Sequence, residues 1–140
     1  MTAARWEHFE HGADVGVRGV APTLGGAFEQ AALALTAVVA DPATVHAVDS
    51  VEIACQAPDD ELLLVAWLNA VVSTMAVRRM LFARFKVRLD GARLQAVATG
   101  ERLDVRRHRT AVEVKGATCT ALRVARTADG QWLAQTVVDV

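Results

Sequence analysis

Ala83-Arg84-Phe85-Lys86-Val87-Arg88-Leu89-Asp90-Gly91 is the stretch on which the fold turns. Ala83, Phe85, Val87 and Leu89 alternate with Arg84, Lys86 and Arg88, the period of two that turns one face of a strand to a core and the other to water. Asp90-Gly91 then predicts a hairpin turn into a second strand from Leu94 to Thr99. Just upstream the period is helical. Asp59 or Asp60 can cap a helix over about 61–79, in which Leu64, Trp67, Leu68, Val71 and Met75 form an apolar stripe. Leu63, Ala70 and Val72 widen that stripe so far that the helix is expected to be covered on most sides and central to the core. Arg78 and Arg79 fall near its carboxyl end, where the helix dipole favours positive charge.

Working outward, Ala57-Pro58-Asp59-Asp60 breaks the chain before this helix. Ahead of it Val51, Ile53, Cys55 and Ala57 alternate with Glu52, Ala54 and Gln56 as a half-buried strand. Asp41-Pro42 stops an earlier helix that Thr23 caps, with Leu24, Phe28, Ala31, Leu35 and Val38 on one face through about Ala40. Gly25 and Gly26 weaken its first turn by up to about 1 kcal/mol each relative to alanine, so packing must hold it. Residues 5–20 predict an opening strand or hairpin in which Gly12, Gly16 and Gly19 mark turns or bulges. On the other side, residues 100–110 carry Arg102, Arg106, Arg107, His108 and Arg109 and predict a loop or an edge. Two final strands, about 111–126 and 131–140, are joined by Ala128-Asp129-Gly130. The order predicts an α+β fold, a single compact domain over residues 1–140 with two helices packed on a mainly antiparallel β-sheet.

A chain of 140 residues that is 53% hydrophobic buries roughly two-thirds of its unfolded surface in one core. A net charge of -1 offers no global field for coating nucleic acid, so any RNA contact must be local. Cys55 and Cys119 form no Cys-x-x-Cys pair, which indicates neither a zinc knuckle nor a disulfide framework, and both are expected to be reduced thiols. The opening Met1-Thr2-Ala3-Ala4-Arg5-Trp6-Glu7 lacks the apolar stretch of a signal peptide, and no run of about 18 apolar residues is evident. The expectation is a soluble, cytoplasmic protein without a membrane partner.

The chemistry is expected where the chain ends meet. Asp14, in His11-Gly12-Ala13-Asp14, sits among strand-forming residues near the start, and Asp139 stands one residue before the last. Termini of compact domains often lie close together, so Asp14, Asp139 and the oxygens of Val140 are candidates for one hard-cation site. Calcium, magnesium and manganese suit such oxygens, and the absence of clustered Cys and His argues against a softer metal. Asp14 is otherwise a turn aspartate bonded to nearby amides, and Asp139 a solvated residue. His8 and His11, three apart on a strand, face opposite sides; His8 is assigned to structure and His11 is left open as a group beside the site. Lys115, with Glu113 on one face, would ordinarily make a surface ion pair worth under about 1 kcal/mol. Yet it is one of two lysines beside thirteen arginines, which favours a role. The cluster from Arg102 to Arg109 reads as a solvated loop rather than a contact for RNA or an acidic partner, and Cys119 as a small buried or half-buried residue rather than a nucleophile.

His11-Gly12-Ala13-Asp14-Val15-Gly16-Val17, Thr23-Leu24 followed by Ala27-Phe28-Glu29-Gln30-Ala31-Ala32, Glu113-Val114-Lys115-Gly116-Ala117-Thr118 and the terminal Asp139-Val140 together resemble the archease family, in order, from Trp6 to Val140. The chain departs from the family pattern at Gly12, where Thr is usual, at Gly25 and Gly26, where acidic residues are, and at Cys119, where Tyr or His is. The resemblance implies a non-catalytic accessory factor. Archeases assist the RtcB-type RNA ligase, speeding its guanylylation and allowing multiple turnover in tRNA splicing or RNA repair, so RNA is met only indirectly through the ligase. The resemblance also implies a metal site at Asp14, Asp139 and Val140, with calcium first among the divalent ions, and a functional lysine at Lys115. Two other readings compete: a metal-dependent hydrolase using Asp14 and Asp139, and a protein-binding module. No general base, nucleophile or phosphate-cradling glycine loop supports the hydrolase.

Overall fold

The computed structural model describes residues 3–140; Met1 and Thr2, the start of the stretch read for a leader, lie outside the described residues. The decisive hairpin is β4 (Met80–Asp90) and β5 (Arg93–Arg102). Asp90 pairs with Arg93, so the central turn residues are Gly91, at φ +58, and Ala92, one position beyond the predicted turn. The register slips between Phe82 and Arg84. That bulge lets Phe82 and Phe85, three apart, both enter the core, where their rings meet edge to face at 5.7 Å.

The chain forms two antiparallel sheets rather than the single one expected. One joins β1 (Arg5–His11), β2 (Asp14–Ala21), β8 (Trp132–Asp139) and β6 (Gly116–Ala117) in that order, with β7 (Arg123–Arg126) also on β8. The other orders β3 (Asp49–Gln56), β5 and β4. Between them lie α1 (Leu24–Val39) and α2 (Asp60–Arg78). Thr23 caps α1, accepting from the Gly26 amide at 3.0 Å, and Asp59 caps α2, accepting from Leu62 at 2.8 Å.

The enclosed helix is α1, not α2. It packs on β1, β2 and β8 on one side and on β4 on the other, and Ala27, Phe28, Ala31, Ala32, Ala34 and Leu35 are wholly buried. Its alanines let both sheets approach closely. Gly16 and Gly19 serve closeness as well, instead of forming turns or bulges. A Cβ at Gly19 would sit 2.2 Å from the Ala27 carbonyl oxygen, and one at Gly16 would strike the Phe9 ring at 2.4 Å. In α2 the buried set is Leu63, Leu64, Trp67, Leu68 and Val71, while Ser73, Ala76, Val77 and Arg78 of its last turns are exposed. This 19-residue helix is, against expectation, long and apolar enough by composition to cross a membrane, but its apolar stripe is spent on the core. Trp67 is the keystone of that stripe, donating from Nε1 to the Phe28 carbonyl at 3.0 Å and meeting Phe85 edge-on at 5.7 Å.

Two further departures lie after Gly100. The predicted loop is the end of β5 followed by a third helix, α3 (Val105–His108), capped by Asp104, whose carboxylate accepts from the Arg106 and Arg107 amides. The predicted strand over 111–126 is broken into an extended segment 111–115, the short β6, a turn and β7. Thr118 accepts from the Thr120 amide and donates to the Val137 carbonyl, and Ala121 takes φ +54, which bends the chain back onto β8.

His108 on α3 is buried, with Nδ1 accepting from the Asp104 amide at 2.9 Å and Nε2 3.1 Å from Glu101. Glu101 also binds Arg107 and accepts from the His46 amide at 2.5 Å. These bonds, Arg107 foremost, hold its carboxyl down at about 2 against an ordinary 4.5. A depressed carboxyl stabilises the fold above its unfolded value and loses that contribution as pH falls through the folded one. The difference in urea midpoint between the wild type and Glu101→Gln should therefore be largest above pH 5 and shrink between about pH 4.5 and 2. A difference independent of pH would remove Glu101 from the acid response.

Candidate functional site

The opening motif folds as a two-residue turn. His11 pairs with Asp14 across Gly12 and Ala13, and of the two central residues only Gly12, at φ +61, is left-handed. Strand β2 continues into the centre of its sheet with Val15 opposite Val138. The next positions outward are Asp14 and Asp139. There the Val140 amide donates to Asp14 Oδ1 at 3.4 Å, and the Lys115 amide donates to the Asp139 carbonyl at 2.8 Å. Gly116 pairs with Asp139. Two aspartates 125 positions apart in the chain thus meet at one end of β2-β8-β6.

Strand alternation sorts the neighbours. Val15, Val17 and Gly19 face α1, so Asp14, Gly16 and Arg18 face outward, and Asp139 shares that outer face as the cross-strand partner of Asp14. On β1 the same rule puts His8 inward, where Nε2 lies 2.7 Å from the Ala34 carbonyl oxygen, and His11 outward beside Asp14. His8 is therefore structural. Arg18 braces the outer face, bonding Glu7 at 2.9 Å and Gln135 at 2.8 Å and lying 4.7 Å over the Phe9 ring. Asp139 and His11 are exposed and Asp14 is half-buried.

Comparison with known proteins decides what this arrangement belongs to. The profile of the archease protein family matches residues 6–140. The chain belongs to the archease family. Protein archease of Thermococcus gammatolerans is 39% identical over 140 residues, covering 97% of this chain and 99% of its own. Protein archease of Methanosarcina acetivorans is 36% identical over 141 residues, covering 97% and 96%. The solution structure of Methanobacterium thermoautotrophicum protein 1598 superposes with a TM-score of 0.84 at 29% identity, over 96% of this chain and 98% of that one.

Within this archease-family fold Lys115 plays two parts. Its backbone fastens Asp139, but the residue itself, exposed and out of phase with Gly116 and Asp139, lines a groove beside α2. The residue that the sequence reading missed is Asn69. It is a polar, exposed position on the apolar α2, and its Oδ1 accepts from the Ala117 amide at 2.9 Å, which pins β6 to the helix. A lone Asn in an apolar helix was the available signal. Cys119 is exposed on the turn that follows β6, not buried or half-buried as expected, and Cys55 is half-buried, where burial raises its thiol pKa.

Among the described residues no three His, Cys, Asp or Glu side chains gather as a metal cluster. The donors at the meeting point are two carboxylates on one face and the oxygens of Val140. All are hard oxygens, and Asp14 is fixed through one of its two, so the set fits a hard divalent ion held partly by water or by a partner. It does not fit zinc, which wants a closed set of nitrogen and sulfur ligands.

Proposed function

We propose that this chain is a non-catalytic activator of an RtcB-type RNA ligase, promoting its guanylylation and turnover in tRNA splicing or RNA repair in the cytoplasm, and meeting RNA only through the ligase. Family membership supports an accessory protein of the RNA-ligase and tRNA-splicing type. The single observation that carries the finer reading is the convergence of Asp14, Asp139 and Val140 on one exposed sheet end. Asp14, Asp139 and Val140 would hold a divalent ion, calcium before magnesium or manganese, and the ion when bound would supply positive charge beside a nucleotide phosphate. The rest is positioning by the chain. Val140 orients the Asp14 carboxylate, Lys115 holds Asp139 by its carbonyl, and His11 stands on the same face.

The test is GTP-dependent guanylyl labelling of the ligase with and without this protein. Faster labelling is expected, and an unchanged rate would end the proposal. A divalent ion that binds only the folded state raises the thermal midpoint by mass action. Millimolar calcium should raise the midpoint of the wild type, and Asp14→Ala should abolish the rise; a wild type indifferent to calcium, magnesium and manganese would take the metal out of the reading. Lys115→Ala should change stability by no more than about 0.5 kcal/mol, as exposed substitutions do, while weakening stimulation. A large loss of stability with stimulation intact would make the lysine structural.

A further inference from the structure

Strand β6 is two residues long and lies at the edge of its sheet, yet it carries part of the backbone of the proposed site. Gly116 pairs with Asp139 and Ala117 with Val138, while on either side the Lys115 amide donates to the Asp139 carbonyl at 2.8 Å and the Thr118 amide to the Val137 carbonyl at 3.0 Å. Neighbouring amides of a strand point to opposite sides. With the Thr118 amide turned to β8, the Ala117 amide is turned away from it, an edge donor with no strand to receive it.

Asn69 of α2 receives it. Its Oδ1 accepts from the Ala117 amide at 2.9 Å, and a Cβ on Gly116 would come within 3.0 Å of the same oxygen, so the side chain lies against both residues of β6. Nothing in the helix itself asks for asparagine at an exposed interior position, where alanine, leucine or glutamate is the better helix former. The bond to Ala117 is what the residue does there.

The helix end of this tie is anchored. Asn69 follows Trp67 and Leu68, both wholly buried, and Trp67 is bonded to the Phe28 carbonyl at 3.0 Å. A short side chain on a packed helix fixes what it holds more closely than a long one on a loop. Strand β6 is thus gripped from two sides, by β8 and by α2. So short a strand has little ladder of its own, and a single bond from outside weighs heavily on where its neighbours stand.

We infer that Asn69 is a positioning residue of the site: by holding Ala117 it sets where Lys115 and the Asp139 backbone stand relative to Asp14. The inference rests on the proposed function for what that site does, and adds α2 to the elements that build it. It is a tie distinct from that of Val140, which holds Asp14 directly.

The experiment uses the full chain and the intact ligase, with guanylyl labelling measured against the concentration of this protein. Asn69→Ala removes the acceptor and installs a better helix former, so the thermal midpoint should stay near the wild-type value. Water can then satisfy the Ala117 amide but cannot hold it against α2, and its hydrogen exchange should quicken by about tenfold. Maximal stimulation should fall by about tenfold with the half-saturating concentration unchanged. Asn69→Asp keeps an acceptor oxygen in place and should restore the exchange protection and most of the stimulation. Wild-type stimulation by Asn69→Ala would overturn the inference and leave the proposed function standing. A rise in the half-saturating concentration alone would make Asn69 a contact with the ligase, and equal losses in the two variants would give the role to its Nδ2 donors; either result also overturns it. So does a fall in thermal midpoint large enough to account for the lost stimulation, which would make the residue merely structural. If the wild type does not stimulate the ligase, the proposed function falls and this inference with it.

Discussion

Trp67→Ala should lower stability by about 4 kcal/mol, the range measured for removing a large aromatic side chain from a packed core. In a domain of this size that is a fall of roughly 15 °C in thermal midpoint. Three losses combine at this position. The ring is wholly buried, it packs edge-on against Phe85, and its Nε1 is a second donor to the Phe28 carbonyl, which also takes part in the helical hydrogen bonding of α1. Trp67→Phe separates them, because it keeps much of the volume and the aromatic contact but removes the hydrogen bond from α2 to the Phe28 carbonyl. An intermediate cost of about 1–2 kcal/mol is expected. Equal losses in the two variants would mean that the hydrogen bond, and not the packing, ties α2 to α1. A fall of only a few degrees in Trp67→Ala would show that the two helices are held together elsewhere.

On the proposed function, Asp14→Ala and Asp139→Ala should each remove most of the stimulation of ligase guanylylation, about tenfold or more, and the double variant should lose no more than the worse single one. Residues that act as one unit fail to add, whereas independent residues multiply their factors. Asp14 and Asp139 are adjacent on one sheet face, with Val140 bonded to the first and Lys115 to the second. Guanylyl labelling across the four proteins decides it. Two modest and multiplying losses would mean that the carboxylates serve separate purposes and share no site.

The sheet end where these residues meet was legible because its parts are separately marked. A Gly turn before Asp14 fixes the first hairpin, and an apolar run ending in Asp139 fixes the last strand, so only their meeting had to be supplied. The decisive hairpin was legible for a similar reason: alternation over Ala83 to Leu89 has one reading. Periodicity was silent where neighbours decide the outcome. An apolar face on α1 predicts one contact surface, and alanines at Ala27, Ala31, Ala32 and Ala34 do not announce that a second sheet lies on the other side. The division into two sheets was therefore missed. So was α3, since four residues with three basic side chains look like solvated loop until Asp104 and the buried His108 are seen to close on each other. Asn69 went unnoticed because its partner, the Ala117 amide, lies 48 positions away.

Strand β8 lies inside its sheet, with β2 on one side and β6 and β7 on the other. It also comes last among the described strands in chain order. During synthesis the β1–β2 hairpin and α1 must wait for it, because the sheet that covers one side of α1 has no middle until residues 132–139 have emerged. The β3-β5-β4 sheet has all its strands once residue 102 has emerged and can order earlier, so assembly is expected to proceed from the middle of the chain outward. Asp14 is translated first among the site residues yet acquires its neighbours last. A chain cut short before Asp139 keeps most of its core sequence but lacks the point where Asp14, Asp139 and Val140 meet.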